Sequence, residues 1–353
     1  MKKSKLQILA TIISISIPII TLICVLVIVY KELTYKNKVD NYEDYFITID
    51  HKLSDKTEIN YEERFKDKDY KSIQVKEYLE CLNKELTYDE LNDKSKDIIN
   101  KLEVLYNSSY DHFAFKYVDI YTGFSVSYNE NQEIFTASTI KAPMAIYIYE
   151  QAEQGNIDLD KKITYTPAYY NTGSGILKNT EFNKSYTTRE LISYAIKYSD
   201  NAAHNMLMDT YGRENMYNFW SNNFNTKAIF KYNNNWGVIT AKDATIYMTE
   251  LYNYYSKNTT LSNELAEVFK NVTFKIITNK NMEYNTMNKS GWTGSVFHDV
   301  AVILEDNPYV LAVLTNLGQN YSYLINQTSV LVGSLHDEYW NIKYNECNKI
   351  INK

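Results

Sequence analysis

Three short motifs in this chain carry hydroxyl, amine and amide groups at spacings that suit serine-based acyl transfer. Ser138-Thr-Ile-Lys141 puts a hydroxyl and an amine three residues apart, a spacing that brings both side chains to one face of a helix. Ser199-Asp-Asn201 and Lys289-Ser-Gly291 follow later in the chain. No histidine lies in a motif that suggests a Ser-His-Asp triad, so the Lys141 amine is the candidate base for the Ser138 hydroxyl.

Each motif taken alone has an ordinary structural explanation. A lone S-x-x-K is most often a polar helix face, Ser199-Asp200 favours a helix N-cap, and Lys289-Ser-Gly291 is typical of a turn. The combination in this order favours one active site. The Lys141 amine must be neutral to act as a base, which requires burial and a nearby positive charge such as Lys289.

The elements that would position these motifs are expected in the order helix, two strands, a helical block, about three strands and a final helix. Apolar residues at helical spacing predict the helices, and runs of branched apolar residues predict the strands. Capping and turn signals mark where the helices and strands end. The expected helices are 91–105, 138–153, a helix after the capping box at 187–190, 200–211, 213–222, 241–256, 262–271 and 321–350, and the expected strands are 112–120, 124–128, 300–304 and 309–314. A sheet with strands from both ends of the sequence implies an all-α lobe inserted into an α/β lobe. The cleft between the lobes is the natural place for a site.

The N-terminal sequence has the pattern of a membrane anchor. Within residues 1–5, Lys2, Lys3 and Lys5 precede residues 6–30, which form a largely apolar stretch without charge that is long enough to cross a bilayer. We therefore expect a short cytoplasmic N-terminus, an uncleaved single-pass anchor at 6–30 and a charged stalk at 31–86. The folded domain is expected at 87–353, on the extracytoplasmic side of the membrane. Lysines flank the span on both sides in nearly equal number, so the charge count leaves the orientation open and the expected chemistry decides it. Cys81 and Cys347 flank that domain, and the sequence leaves open whether they form a disulfide or remain free thiols.

Composition and residue spacing argue against a nucleic-acid partner and against a bound cofactor. The 353 residues are 44% hydrophobic, which is ample for a large core, and the net charge of −6 argues against a nucleic-acid partner. No His/Cys/Asp cluster has metal-ligand spacing, so neither a metal ion nor another cofactor is expected. His204, His298 and His336 are interpreted as packed or surface side chains, and Asp299 as a local support of its strand.

Residues 87–353 resemble the class A β-lactamases and related penicillin-recognising serine hydrolases. The resemblance extends to the sequence around the motifs, namely Phe135-Thr-Ala-Ser138, Tyr170-Asn-Thr-Gly-Ser-Gly175, Ser199-Asp-Asn-Ala-Ala203, Lys289-Ser-Gly-Trp-Thr-Gly294 and His298-Asp-Val-Ala301. It implies an α/β (α+β) fold in which an antiparallel sheet is flanked by N- and C-terminal helices and carries the inserted helical lobe.

The same resemblance implies a role for each motif residue. Ser138 would be the nucleophile, Lys141 its base, and Ser199 the group that passes a proton to the leaving nitrogen. The residues expected to bind substrate are Asn201 through an amide carbonyl, Lys289 and Ser290 through a carboxylate, Gly291 through close backbone approach, and Trp292, whose backbone N–H would form an oxyanion hole with that of Ser138.

One departure from the family concerns the second half of the reaction. Class A β-lactamases use a glutamate on a loop after the S-D-N helix to activate water for deacylation, but residues 215–242 contain no Asp or Glu. Glu214 and Asp243 border this segment, each in a helix start signal. The sequence therefore predicts acylation at Ser138 followed by slow deacylation, unless Lys141 serves both steps.

Three functions remain open at this point. The first is a membrane-anchored β-lactamase-type hydrolase that reacts with β-lactams. The second is a penicillin-binding protein or D-Ala-D-Ala peptidase that acts on cell-wall peptides. The third is a sensor that binds β-lactam or muropeptide without turnover. The missing glutamate strengthens the second and third relative to the first, which remains the leading interpretation.

Overall fold

A six-stranded antiparallel sheet organises the protein, which we describe from a computed structural model. The structure describes residues 48–50, 73–107, 112–226, 235–278 and 286–351. The chain divides into two units, 1–46 and 47–353, and all described residues belong to the second.

The predicted elements are present in the predicted order among the described residues, and the structure adds one helix and several short strands. The strands are β1 (Thr48–Asp50), β2 (Phe113–Asp119), β3 (Ser125–Tyr128), β4 (Ile134–Phe135), β5 (Lys162–Thr164), β6 (Ser185–Thr187), β7 (Val238–Ile239), β8 (Thr286–Trp292), β9 (Phe297–Ile303) and β10 (Tyr309–Thr315). The α-helices are α1 (Ile73–Asn83), α2 (Asp93–Asn107), α3 (Lys141–Glu153), α4 (Thr188–Lys197), α5 (Asn201–Tyr211), α6 (Arg213–Phe224), α7 (Ala241–Ser256), α8 (Thr260–Lys270) and α9 (Ser322–Ile351).

The main sheet has the strand order β1-β3-β2-β10-β9-β8, and every neighbouring pair is antiparallel. Strands from the two ends of the described chain meet where β2 pairs with β10, with Tyr117 opposite Leu311. β8, which carries Lys289-Ser-Gly291, is an edge strand.

Helices cover both faces of this sheet. In β10, Val310, Ala312 and Leu314 pack into the core under α3, α7 and α8, whereas the alternate residues Leu311 and Val313 pack against α2 and α9. This alternation follows from the period of two in a strand. Both side-chain sets are buried, so the central strands are apolar runs. The antiparallel sheet between helices, with α3–α6 inserted between β4 and β7, confirms this part of the predicted fold.

The folded region begins earlier than the predicted boundary at residue 87. Helix α1 lies within the predicted stalk, yet Tyr78 and Leu82 are buried against α9, and β1 pairs with β3. A disulfide joins Cys81 of α1 to Cys347 of α9, with an S–S distance of 2.01 Å. The end of the stalk is thus part of the fold, and the choice that the sequence left open between disulfide and free thiols is resolved.

The predicted anchor at 6–30 lies outside the described residues, as does most of the predicted stalk. Within the part of the chain that the structure describes, no helix combines the length and the apolar character needed to span a bilayer.

Candidate active site

Ser138 lies in a tight turn that leads directly into α3. Residues Ala137–Ile140 form a 3₁₀ turn, so the α-helix begins at Lys141, three residues later than predicted. Ala137, immediately before Ser138, has a left-handed backbone with φ of 44°. A non-glycine residue in this region is strained, and such strain persists only where surrounding structure enforces it. The Ser138 side chain is 8% exposed.

The Lys141 amine lies at the centre of the three motifs. Its Nζ is 2.9 Å from Ser138 Oγ, 2.6 Å from the Ser199 carbonyl oxygen and 2.7 Å from Asn201 Oδ1. Ser199 Oγ is 3.4 Å away. The structure therefore brings the predicted nucleophile, base and proton-transfer group together.

These partners suit a neutral amine. The Ser199 carbonyl and the Asn201 amide oxygen can only accept hydrogen bonds, so they take the two N–H groups of a neutral Lys141. The remaining lone pair then faces the Ser138 hydroxyl, which is the arrangement that a general base requires.

The surroundings of Lys141 favour that neutral form. Complete burial lowers its pKa well below the usual value, the charge of Lys289 lowers it further, and Asp200 opposes both. The Trp236 ring lies 5.2 Å from Lys141 Nζ, and a cation–π contact of this kind favours the charged form by about 0.5–2 kcal/mol. That contribution is smaller than the penalty for burying an unpaired ammonium ion, so desolvation decides the balance.

Ser199 lies between the two lysines of the site. Lys289 Nζ donates to Ser199 Oγ at 3.1 Å and to the Ser290 carbonyl oxygen at 2.8 Å. Ser199 itself has a φ of 54°, a second strained backbone position at the site. Burial lowers the pKa of Lys289 to about 7, against a weaker raising effect of Asp299. A hydroxyl in contact with both amines can pass a proton from one side of the site to the other.

Asp200 has a structural role. Its carboxylate caps α5 by accepting the Ala203 N–H at 2.9 Å, and it also accepts the N–H groups of Ile176 and Leu177 at 2.6 and 2.8 Å. At Gly175, which has a φ of 125°, a Cβ would lie 2.3 Å from that carboxylate. The second motif thus holds the 173–177 segment against the start of α5.

Gly291 brings the edge strand β8 against the turn that carries Ser138. A Cβ at this position would lie 2.7 Å from the Ser138 nitrogen and 2.8 Å from the Thr139 nitrogen. The sequence assigns the missing side chain to close approach of substrate. The structure adds a second reason, since only glycine lets the strand pass this close to the nucleophile turn.

Sequence comparison identifies the family. A sequence model described as the beta-lactamase enzyme family matches residues 94–333, which is more than half of the chain. The chain belongs to the beta-lactamase enzyme family. It is an enzyme of the serine hydrolase type that this family contains.

Individual members differ widely from this chain in sequence. A beta-lactamase from Bacillus licheniformis is 31% identical over 128 residues, which make up 35% of this chain and 39% of the relative. The matched part of the chain therefore spans about two fifths of that relative's length.

Several solved structures share the fold of this chain. PBP-A is matched over 70% of this chain and 97% of its own, with 20% identity and a TM-score of 0.60. A point mutant of PBP-A, solved as an acyl-enzyme complex with penicillin G, gives 19% identity and a TM-score of 0.62 over 69% and 97% of the two chains. The beta-lactamase of Sphaerobacter thermophilus gives 17% identity and a TM-score of 0.57 over 69% and 97%.

Asn171 belongs to the site, although none of the three motifs includes it. Its Oδ1 accepts the Gly173 N–H at 2.8 Å and an N–H of Asn201 Nδ2 at 3.2 Å. These contacts orient the Asn201 amide so that its oxygen faces Lys141. The signal was present in the quoted 170–175 segment, but nothing in the sequence connects that segment with Asn201.

Trp236 and His204 were also missed as parts of the site. The buried His204 ring lies 4.9 Å from the Trp236 ring, and His204 Nε2 donates to the Asn235 carbonyl at 2.9 Å. The pKa of His204 is lowered to about 3, mainly by burial and secondly by the nearby Lys141 amine. The neutral imidazole thus packs behind the indole that covers Lys141, which agrees with its interpretation as a packed side chain.

Asp299 supports the third motif from behind. Its Oδ2 accepts the Ile276 and Ile277 N–H groups at 2.7 and 2.8 Å and an N–H of Asn288 at 3.2 Å. Burial raises its pKa to about 6, and the three hydrogen bonds and Lys289 oppose that rise. The carboxyl fixes the start of β8 and adds negative potential behind Lys289. His298 and His336 are likewise buried.

Proposed function

We propose that this protein is a serine acyl-transferring hydrolase that is acylated at Ser138 by β-lactams or related amides and releases the acyl group slowly. The observation that carries acylation is the convergence of Ser138, Lys141, Ser199 and Lys289 within hydrogen-bond distances. The PBP-A mutant with a related fold was solved as an acyl-enzyme with penicillin G, which supports a β-lactam as the acyl donor.

The first half-reaction follows from this geometry. The neutral Lys141 amine takes the Ser138 proton while Oγ attacks the substrate carbonyl carbon. Ser199 Oγ, in contact with Lys141 and Lys289, passes a proton to the leaving nitrogen as the C–N bond breaks. Lys289 and Ser290 hold the substrate carboxylate. The N–H groups of Ser138 and Trp292 stabilise the carbonyl oxygen as it becomes negative.

Slow deacylation is supported by what lies over Lys141. The residues from 215 to 242 contain no carboxylate, and within the described part of that segment the Trp236 indole contacts Lys141. Asp200, the carboxylate that acts on the Lys141 pKa, accepts three backbone N–H groups. A deacylating water therefore lacks a free carboxylate base at this position, and the ester persists.

A penicillin-binding protein or D-Ala-D-Ala peptidase is the second candidate. With an indole and no carboxylate beside it, Lys141 would have to act as the base in both half-reactions. That arrangement suits a peptidase, whose natural acyl donor is a peptide. Release of D-alanine from a D-Ala-D-Ala peptide, lost in Ser138→Ala, would identify this activity.

We also propose that residues 6–30 anchor the chain and that the catalytic domain lies on the extracytoplasmic side of the membrane. The 25 residues of this segment carry no charge and are mostly apolar, which supports the anchor. The Cys81–Cys347 disulfide supports an oxidising compartment, since such bonds are rare in the cytosol. Protease accessibility of the domain in intact cells tests this placement, and protection until the cells are lysed would contradict it.

Labelling with a fluorescent penicillin tests the proposed reaction. We expect covalent label on the wild-type protein, none on Ser138→Ala, and label that persists after excess free penicillin is removed. Absence of label on the wild-type protein would contradict acylation. Rapid loss of label, with continuous hydrolysis of a chromogenic cephalosporin, would contradict slow release.

Replacing the indole tests why release is slow. Trp236→Glu places a carboxylate beside Lys141, and we expect it to speed release of the label by at least about tenfold, because a positioned general base contributes that much or more. Trp236→Gln is the matched control, with the same size and no charge. Equal release rates for the two variants would show that a missing base is not the cause.

A further inference from the structure

Two buried oxygens behind the third motif have no hydrogen-bond partner among the described residues. They are Asn288 Oδ1 and Asp299 Oδ1, and both side chains are fully buried. The same two side chains are joined through their other polar atoms, since Asn288 Nδ2 donates to Asp299 Oδ2 at 3.2 Å. A buried polar atom without a partner costs free energy, so its presence at a site calls for an explanation.

An amide at position 299 would satisfy both oxygens. Its oxygen could accept the three N–H groups that Asp299 Oδ2 accepts, from Ile276, Ile277 and Asn288. Its NH₂ group would stand in place of Asp299 Oδ1 and could donate to Asn288 Oδ1. The hydrogen bonds therefore do not explain why position 299 carries a carboxylate. What the carboxylate adds is its negative charge.

The charge of Asp299 acts on Lys289 through the sheet. Lys289 extends toward the helical lobe, where it donates to Ser199 Oγ. Asp299 lies on the opposite face, because Ala301, two residues along β9, packs in the core under α2 and α9. In the β8–β9 register Asp299 is opposite Ser290, the neighbour of Lys289. The carboxylate raises the pKa of Lys289 against the stronger lowering effect of burial.

We propose that Asp299 is a positioning residue for acylation that acts through Lys289: its carboxylate keeps Lys289 charged, and therefore able to bind the substrate carboxylate. This inference rests on the proposed function and adds a residue that touches neither the substrate nor the nucleophile. The two unpaired oxygens are the consequence of keeping a charge where an amide would complete the hydrogen bonds.

The other titratable groups around Lys289 and Asp299 do not supply this negative charge. These groups are Lys141, Asp200, His204, Lys275 and His298. Lys141 and Lys275 are amines. Burial lowers the pKa values of His204 and His298 to about 3 and about 4, so both rings are neutral. The carboxylate of Asp200 caps α5 and acts on the pKa of Lys141.

Asp299→Asn separates the charge from the hydrogen bonds. Burial lowers the pKa of Lys289 to about 7, so acylation should decline as the pH rises through that value. Without the carboxylate Lys289 loses its proton more readily, and we expect the decline to move to lower pH by about one unit. Acylation by the variant should then be about tenfold slower near pH 8. Near pH 5 the two proteins should converge, because Asp299, with a pKa of about 6, is itself protonated there.

The measurement is the second-order acylation constant with a fluorescent penicillin, on the full chain, from pH 5 to 10. The free energy of unfolding of Asp299→Asn should not fall, since the amide satisfies every hydrogen bond. In a Lys289→Arg background the same change should not shift the profile, because a guanidinium stays charged. Asp97→Asn removes an exposed carboxylate of α2 and should leave the decline at its wild-type pH.

The possible outcomes separate this role from the proposed function. If penicillin acylates the wild-type protein and Asp299→Asn declines at the same pH, the role of Asp299 is wrong and the proposed function stands. A shift that persists in the Lys289→Arg background would also overturn it, because the effect would not pass through Lys289. An Asp299→Asn protein that fails to fold would show that the fold itself needs the carboxylate, and would contradict the hydrogen-bond argument. If the wild-type protein is not labelled at any pH, both proposals are wrong.

Discussion

Lys141 and Lys289 lie on either side of Ser199, and the reaction needs them in opposite charge states. Lys141 must be neutral to take the Ser138 proton, and Lys289 must be charged to bind a carboxylate. Burial depresses both pKa values, the charge of Lys289 lowers the pKa of Lys141 further, and Asp299 raises the pKa of Lys289. The residues of one site therefore titrate in a fixed order, with Lys141 losing its proton at lower pH than Lys289.

This order predicts the pH dependence of acylation. Burial lowers the pKa of Lys289 to about 7 in the unoccupied site, so its charge is present below that pH and is lost as the pH rises through it. Acylation by a penicillin that carries its carboxylate should therefore slow above the pKa of Lys289, by up to about tenfold per pH unit. Second-order acylation constants measured from pH 5 to 10 check this.

Lys289→Arg provides the control for that profile, because a guanidinium stays charged over the whole range. Its absolute rate can differ from that of the wild-type protein, but its alkaline decline should be absent. A wild-type rate that stays constant up to pH 10 would contradict the assignment of the decline to Lys289.

At the scale of elements, the sequence predicted those whose residues are strongly periodic. The helices from α2 to α9 and the strands β2, β3, β9 and β10 have clear apolar spacing, capping signals or branched apolar runs. Helix α1 was assigned to the stalk, because charged residues surround a narrow apolar stripe that includes Tyr78 and Leu82. Its partner α9 follows more than 200 residues later, so local pattern gave no sign of the contact.

The residues of the site also divide into those that the sequence predicted and those that it did not. The motif residues were found because their types and spacing carry chemistry, whereas Asn171 and Trp236 lie in segments without periodicity. Which aperiodic side chain reaches Lys141 depends on the path of a loop, and that path is set by contacts such as the one between His204 and the Asn235 carbonyl. Such contacts leave no regular spacing in the sequence.

The contact between β8 and the nucleophile turn predicts the effect of adding one methyl group. In Gly291→Ala the new Cβ would lie under 3 Å from two backbone nitrogens, so the strand or the turn must move. We expect acylation to slow by at least about tenfold, since misplacement of reacting groups by 1 Å can cost more than that. The free energy of unfolding should fall by about 1–3 kcal/mol.

Gly294→Ala, three residues along the same segment, is the matched control. A Cβ at Gly294 would have no heavy atom within 4 Å, so both the acylation constant and the unfolding free energy should stay near the wild-type values. Comparable losses in the two variants would show that the segment tolerates no Cβ at all, and would contradict the specific role of Gly291.

At the scale of the whole molecule, α1 and α9 tie the beginning of the folded region to its end. The Cys81–Cys347 disulfide bridges a separation of 266 residues. Beside it, the largely buried Lys343 donates to the backbone carbonyls of Cys81 and Lys84 at the end of α1. Burial lowers the pKa of Lys343 to about 8. Both contacts lie on the face of the sheet opposite the helical lobe.

Breaking this bridge should lower stability and leave the chemistry of the site unchanged. A disulfide that closes a long loop stabilises the fold chiefly by restricting the unfolded chain, typically by about 2–4 kcal/mol. We expect urea unfolding of the wild-type protein to shift by that amount on reduction. Cys81→Ser, Cys347→Ser and the double variant should all match the reduced protein, because either change alone removes the bridge. Penicillin labelling of folded protein should be the same in all of them.

Identical unfolding free energies with and without reductant would contradict the stabilising role of the bridge. A labelling rate that fell on reduction would show that α1 and α9 also hold the catalytic geometry.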